Sequence, residues 1–285
     1  MTSTIDPLPR EWLHAARDGT RLYVRCAEPA GAKGHASVLL THGLGEHAGR
    51  YDHVAARLTG AGLRVYSWDL RGHGRSDGAR GDSPSYDALV DDRAEVWELA
   101  RTGSAGGPLF LHGHSTGGQI ALNFAVRHKP AAAGLVITSP WLRLAFDPPR
   151  WKVALARVAV KVWPAYSQET EVRPDRLSRD LEFLHSMPDL HLIHHRISAR
   201  MYHGVVAGGE RAAREATALE YPMLLIHGEN DPVTSLEATK EFFHALRSRD
   251  KTLFIVPGAL HETHNDLCRE EVLTRMVEWL DERRL

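Results

Sequence analysis

The feature that most constrains this chain is the pentapeptide Gly113-His114-Ser115-Thr116-Gly117. It sits between an apolar run, Leu109-Phe110-Leu111, and a segment of helical spacing, Gln119–His128, that Pro130 stops. The run before it is short enough for a buried strand, and the segment after it, from about Gly118, predicts a helix. A chain that passes from strand to helix in so few residues must turn sharply, which would present Ser115 at the crest of the turn. Small residues are required at Gly113 and Gly117, where other backbone comes close. Gly118 and Ala121 then let the helix pack tightly on neighbouring strands. A glycine-rich turn without chemistry is the alternative, and the bordering strand and helix argue against it.

The rest of the chain repeats the same rhythm. Asp18-Gly19 lies between Trp12–Ala16 and Leu22–Cys26, a hairpin signal. Ala36–Thr41 and Arg64–Trp68 read as strands, with a helix over Tyr51–Thr59 between them and a longer one at Tyr86–Ala100. Pro108–Leu111 and Gly134–Ile137 are further strands. This alternation predicts an α/β fold, a mostly parallel sheet flanked by helices. From Pro140 to about Leu219 the rhythm breaks. No clear strand is visible there, only prolines, arginines, histidines and helical stretches. Alternation then resumes with Met223–Ile226, Leu236–Leu246, Thr252–Val256 and Glu270–Arg284. The reading is a core of residues 1–139 and 220–285 carrying a helical cap insertion at 140–219, since linker composition for a second domain is lacking.

A serine hydroxyl needs a base to take its proton, and the base needs an acid to orient it. Where a turn of this kind serves acyl transfer, the acid and then the histidine follow the serine in loops after later strands. The loop after Met223–Ile226 offers Asp231, with Glu229 as its rival. The loop after Thr252–Val256 offers His261, with His264 as its rival. Order and strand-end placement are what distinguish His261 among 18 histidines. Developing negative charge on the substrate also needs donors. The backbone N–H of Thr116 is one candidate, and that of Leu44, with a glycine on each side, is the other.

At these residues a resemblance is visible. Thr41–Tyr51 (THGLGEHAGRY), Trp68–Ser76 (WDLRGHGRS), Gly113–Gly118, Asp231-Pro232 and Gly258–Glu262 resemble the monoacylglycerol lipase and lysophospholipase-like branch (serine aminopeptidase S33-type) of the α/β hydrolases. The resemblance runs from about residue 10 to the end and is weakest over 140–219. It implies an α/β-hydrolase fold, a triad of Ser115, Asp231 and His261, and oxyanion donors at Leu44 and Thr116. It also implies a small-molecule fatty acyl ester as substrate and no cofactor. Members of this branch usually carry Met after the nucleophile. Thr116 stands there instead, which implies a smaller, more polar pocket at that point.

Arg71–Ser76 reads as a structural turn. Glu46, His47 and Arg50, with His114 beside the nucleophile, are candidate substrate contacts on the alcohol side. A salt-bridged loop holding Leu44 would explain the first three equally well. His191, His194 and His195 fall at i, i+3 and i+4, a spacing that would put three imidazoles on one helix face; no His-Glu-x-x-His pattern or cysteine joins them, so no metal site is expected. Trp141–Trp163 is apolar with five scattered bases, Arg143, Arg150, Lys152, Arg157 and Lys161, against Asp147. It suggests either a cap helix over the site or transient contact with a lipid surface.

Formal net charge is -1, which leaves no basic footprint for nucleic acid. Hydrophobic and charged contents of 43% and 25% are those of a globular protein. Cys26 and Cys268 match no metal or redox spacing. The first residues carry neither a basic nor an apolar leader pattern, so a cytoplasmic location is expected. A peptidase, a short-chain esterase or a catalytically silent binding protein of the same fold remain open alternatives.

Overall fold

The computed structural model describes residues 9–31, 36–170 and 172–284. Its main sheet is built from β1 (Arg10–Ala15), β2 (Arg21–Ala27), β3 (Ser37–Thr41), β4 (Arg64–Trp68), β5 (Leu109–His114), β6 (Gly134–Thr138), β9 (Met223–Gly228) and β10 (Lys251–Val256). The spatial order is β1-β2-β4-β3-β5-β6-β9-β10. β1 and β2 pair antiparallel as the Asp18-Gly19 hairpin, and β2 pairs antiparallel with β4. Every pairing from β4 to β10 is parallel.

Period-two alternation decides how the strands bury both faces. Val38, Leu40, Phe110, Val136, Leu224 and Ile226 point to one face. There they meet α1 (Asp52–Gly60) through Val54 and Leu58, and α9 (Arg269–Asp281) through Met276 and Trp279. Leu39, Leu111, Ile137 and Leu225 point to the other face. There they meet α2 (Tyr86–Gly103), α3 (Ser115–His128) and α8 (Leu236–Ala245). Ser85 and Ser235 cap α2 and α8 by accepting from Ala88 and Ala238 N–H, each cap contributing about 1 kcal/mol.

After β3 the chain runs outward to β4, then crosses back to place β5 on the other side of β3. Strand direction of growth therefore reverses between β3 and β5. Open α/β sheets bind ligands at the carboxyl ends beside such a switch point. His42-Gly43-Leu44 leaves β3 there and Ser115 leaves β5.

Between β6 and β9 lie α4 (Arg150–Val162), β7 (Ser167–Glu169), α5 (Pro174–Leu177), α6 (Leu181–Ser186), β8 (Arg196–Ser198) and α7 (Ala199–Arg214). The strandless reading of this segment needs correction: β7 and β8 form a two-stranded antiparallel ribbon. At three residues each, with Ser, Gln, Glu and Arg among them, they carry too little apolar pattern to be read from sequence. The helix expected from Gly118 starts at Ser115, because the turn is sharp enough for the serine itself to open it. The histidine spacing also fails. Leu190–Leu192 is a single 3-10 turn and the chain is extended from Ile193, so His191, His194 and His195 share no helix face. The side chains of Arg150, Lys152 and Arg157 lie outside the described residues. No helix among the described residues is long and apolar enough to cross a membrane.

Candidate active site

Ser115 has φ of +52°, a left-handed conformation that non-glycine residues adopt at a cost and that clusters at functional sites. Close approach explains its glycine neighbours. A Cβ on Gly113 would lie 2.5 Å from the Gly117 carbonyl oxygen, and one on Gly117 would lie 2.3 Å and 2.4 Å from the His42 and Thr41 oxygens. The elbow is thus wedged against the loop that leaves β3.

The structure brings Ser115, His261 and Asp231 together. His261 Nε2 lies 3.0 Å from Ser115 Oγ, and His261 Nδ1 lies 2.8 Å from Asp231 Oδ2. Asp231 Oδ1 accepts from the Val233 and Thr234 N–H groups at 2.8 Å and 3.0 Å. Oδ2 also accepts from Thr234 Oγ1 at 2.8 Å and lies 3.1 Å from His227 Nε2. Burial would push the Asp231 carboxyl up, but the His261 charge and the hydrogen bonds from His227 and His261 overrule it. Asp231 is held well below the usual carboxylate range. Burial pushes His261 down, yet the charge and hydrogen bond of Asp231, with Glu262 and Glu46 behind them, leave it raised above 6.5.

The rivals lie elsewhere. Glu229 accepts from the Gly258 N–H at 2.9 Å. His264 stacks on Tyr51, ring centroids 4.8 Å apart, with burial holding it neutral.

Thr116 is the second residue of α3, in the first turn, where a helix leaves its N–H groups without intrahelical acceptors. The Leu44 loop is fixed by His42. Its Nδ1 can only donate to the Gly43 carbonyl (2.7 Å), since a carbonyl cannot donate, and its Nε2 accepts the Leu70 N–H at 3.0 Å. Burial lowers His42 to about 3, so this neutral tautomer persists at any ordinary pH.

A small cavity of about 60 Å³ adjoins Ser115. Glu46 and Arg50 line it, and so do Leu44, Trp141 and Val233. They are also salt-bridged. Arg50 donates to Glu262 at 2.7 Å and lies 3.8 Å from Glu46. Burial, then the Glu262 charge, push Glu46 up to about 7 against the pull of Arg50.

His47 and His114 are not among the residues that line this cavity. His114 is fully buried behind the site, its Nδ1 3.0 Å from Thr138 Oγ1 and its ring 4.8 Å from that of His261. His47 is buried against Gly49. The Thr116 side chain is fully buried off the cavity as well, so its hydroxyl does not shape the pocket wall. Helix periodicity turns that side chain away from the crest that exposes Ser115.

The Arg71–Ser76 turn has a structural job. Asp69 accepts from Ala48 N–H at 2.6 Å and from Arg75 N–H at 2.7 Å, tying this turn to the Glu46–Arg50 loop. Arg71 forks onto buried Asp92 at 2.5 Å for both bonds.

The family model described as Hydrolase_4, serine aminopeptidase S33, matches residues 32–268. This chain belongs to that family of α/β hydrolases. A monoacylglycerol lipase from Mycolicibacterium smegmatis is 31% identical over 85% of this chain and 87% of its own. The crystal structure of a monoacylglycerol lipase from Paleococcus ferrophilus superposes with a TM-score of 0.83 at 34% identity, covering 92% of this chain and 99% of that one. An uncharacterised abhydrolase domain-containing protein of Dictyostelium discoideum is 33% identical, and this chain spans about a quarter (26%) of its length.

Within this α/β hydrolase, sequence reasoning missed His227, Thr234 and Trp141 as site residues. His227, at the end of β9, precedes Asp231 by four residues, a spacing that would have pointed to it. Trp141 carried only the signal of an aromatic just after β6.

Proposed function

We propose that Ser115, His261 and Asp231 form the catalytic triad of a carboxylic ester hydrolase acting on monoacylglycerols or similar single-chain acyl esters. The observation that carries this reading is the continuous hydrogen-bonded path Asp231–His261–Ser115, at 2.8 Å and 3.0 Å, ending on a serine held at φ +52°. Ser115 Oγ attacks the ester carbonyl while His261 Nε2 takes its proton. The Leu44 and Thr116 N–H groups stabilise the oxyanion. His261 then returns the proton to the leaving alkoxide, the alcohol departs, and a water attacks the acyl-serine by the same steps. Asp231 holds Nδ1–H toward itself and offsets the imidazolium charge.

The segment 140–219 acts as a cap. Its His194 N–H donates to the Gly45 carbonyl at 3.0 Å and its Ser198 N–H to the Gly81 carbonyl at 2.9 Å. Glu46 and Arg50, on the cavity wall, are placed to bind the hydroxyls of a glycerol-like alcohol. Trp151, Leu155, Val158 and Val162 are exposed on α4 at i, i+4, i+7 and i+11. That apolar stripe supports transient docking of the cap on a lipid surface. The names of the M. smegmatis and P. ferrophilus relatives favour an acyl ester over a peptide as substrate. Rates on monoacylglycerols of increasing chain length, beside an aminoacyl amide, test the reading. Highest kcat/KM on a monoacylglycerol is expected, and highest kcat/KM on the amide would overturn it.

A further inference from the structure

The cavity at Ser115, about 60 Å³, holds only a few water-sized groups. Sites that enclose a whole small-molecule ligand run to about 300–1,000 Å³. A second space of about 610 Å³ opens between the loop after β6 and helices α7 and α8, walled by Leu142, Leu144, Phe146, Val206 and Phe242 and lined as well by charged side chains, Arg143 and Glu241 among them. Trp141 lines both spaces.

The backbone of this dividing wall is pinned. Trp141 N–H donates to the Ser115 carbonyl at 3.1 Å and Gln119 Nε2 donates to the Trp141 carbonyl at 2.7 Å. Ala145 N–H donates to the Val233 carbonyl at 3.0 Å. Helix α7 presses on the wall at Gly209, where a Cβ would lie 2.6 Å and 2.7 Å from the Trp141 and Leu142 oxygens. What can move is the Trp141 ring, which rests edge-on to Tyr202 with centroids 6.5 Å apart. Turning about its side-chain bonds requires no backbone hydrogen bond to break.

We infer that the Trp141 side chain is a gate between Ser115 and an acyl-chain groove under α7 and α8, and so determines which chain lengths are accepted. This rests on the reading of Ser115 as the nucleophile toward acyl esters. With the ring in place, a short acyl group fits beside Ser115. A long chain reaches the groove only when the ring swings aside, and must displace the Tyr202 contact to do so. The groove then recovers binding, because each methylene leaving water for apolar surroundings is worth about fourfold.

The test is kcat/KM for 4-nitrophenyl acetate, butyrate, octanoate and laurate in the wild-type protein, Trp141→Ala and Trp141→Leu. Trimming the gate raises the laurate-to-acetate ratio by about fifteenfold or more, the value of two seated methylenes. Ala213→Trp, at an exposed position lining the groove on α7, lowers the same ratio. The leucine variant and Ala213→Trp carry the test where the alanine variant fails to fold. An unmoved ratio in the Trp141 variants with acetate hydrolysis retained would overturn the gate alone, as would an unmoved ratio in Ala213→Trp. Absent acetate hydrolysis and absent fluorophosphonate labelling in the wild-type protein would overturn the ester reading, and the gate with it.

Discussion

Replacing Asp231 by asparagine keeps the shape of the side chain, and the hydrogen bonds around it dictate how the amide must sit. Oδ1 faces two backbone N–H groups, of Val233 at 2.8 Å and Thr234 at 3.0 Å, which can only donate. The amide oxygen must therefore occupy that position, and the NH2 group falls where Oδ2 stood, 2.8 Å from His261 Nδ1. A donor there forces Nδ1 to accept and moves the ring proton to Nε2, facing Ser115 Oγ. The base is then blocked rather than merely weakened. Inverting the tautomer in this way costs about 10⁴ in kcat, or roughly 5.5 kcal/mol of transition-state stabilisation. The assay is burst and steady-state hydrolysis of a short-chain nitrophenyl ester, with circular dichroism and thermal melting to show that Asp231→Asn folds. A loss of less than about tenfold in folded protein would refute the argument, since the inverted tautomer leaves no base.

Three further outcomes follow from the same geometry. His261 must be neutral to accept a proton and its value is raised above 6.5, so activity falls as pH drops through that raised value. Glu46 contributes to the raising and, held at about 7, is partly ionised in this range; Glu46→Gln removes that partial charge and moves the acid limb of the kcat/KM profile slightly to lower pH, and a limb that rises would contradict this. Gly117→Ala drives a Cβ into the Thr41 and His42 carbonyl oxygens and costs about 1–3 kcal/mol or more, seen as a lower Tm together with lost activity. Leu155→Glu with Val158→Glu, on the exposed α4 face, lowers co-sedimentation with anionic vesicles without changing hydrolysis of a dissolved short ester.

The order of strands and helices was legible because both sheet faces are buried, so strands such as Leu109–Leu111 and Met223–Ile226 appear as bare apolar runs. The β7–β8 ribbon was not, because only Ile197 among its six residues is apolar and the pairing depends on chain far apart in sequence. Ser115, Asp231 and His261 could be nominated from strand ends and chain order alone. Periodicity could not say that Thr116 turns into the core, or that Glu46 and Arg50 line the cavity while His47 does not. Those outcomes depend on how the loop after β3 is pinned by Asp69 and His42. The spacing of His191, His194 and His195 misled because a helix-compatible pattern says nothing unless the backbone is helical. Tertiary bonds from Gly45 and Thr170 hold that stretch extended.

The central claim is that Ser115 is an activated nucleophile. Mass spectrometry of the intact, folded protein after exposure to a fluorophosphonate tests it most directly. An activated Ser115 gives one adduct per chain, mapped by peptide analysis to Ser115, lost in Ser115→Ala and in unfolded protein, and strongly slowed in Asp231→Asn. No adduct in the folded protein, or an adduct on another residue that persists in Ser115→Ala, would contradict it.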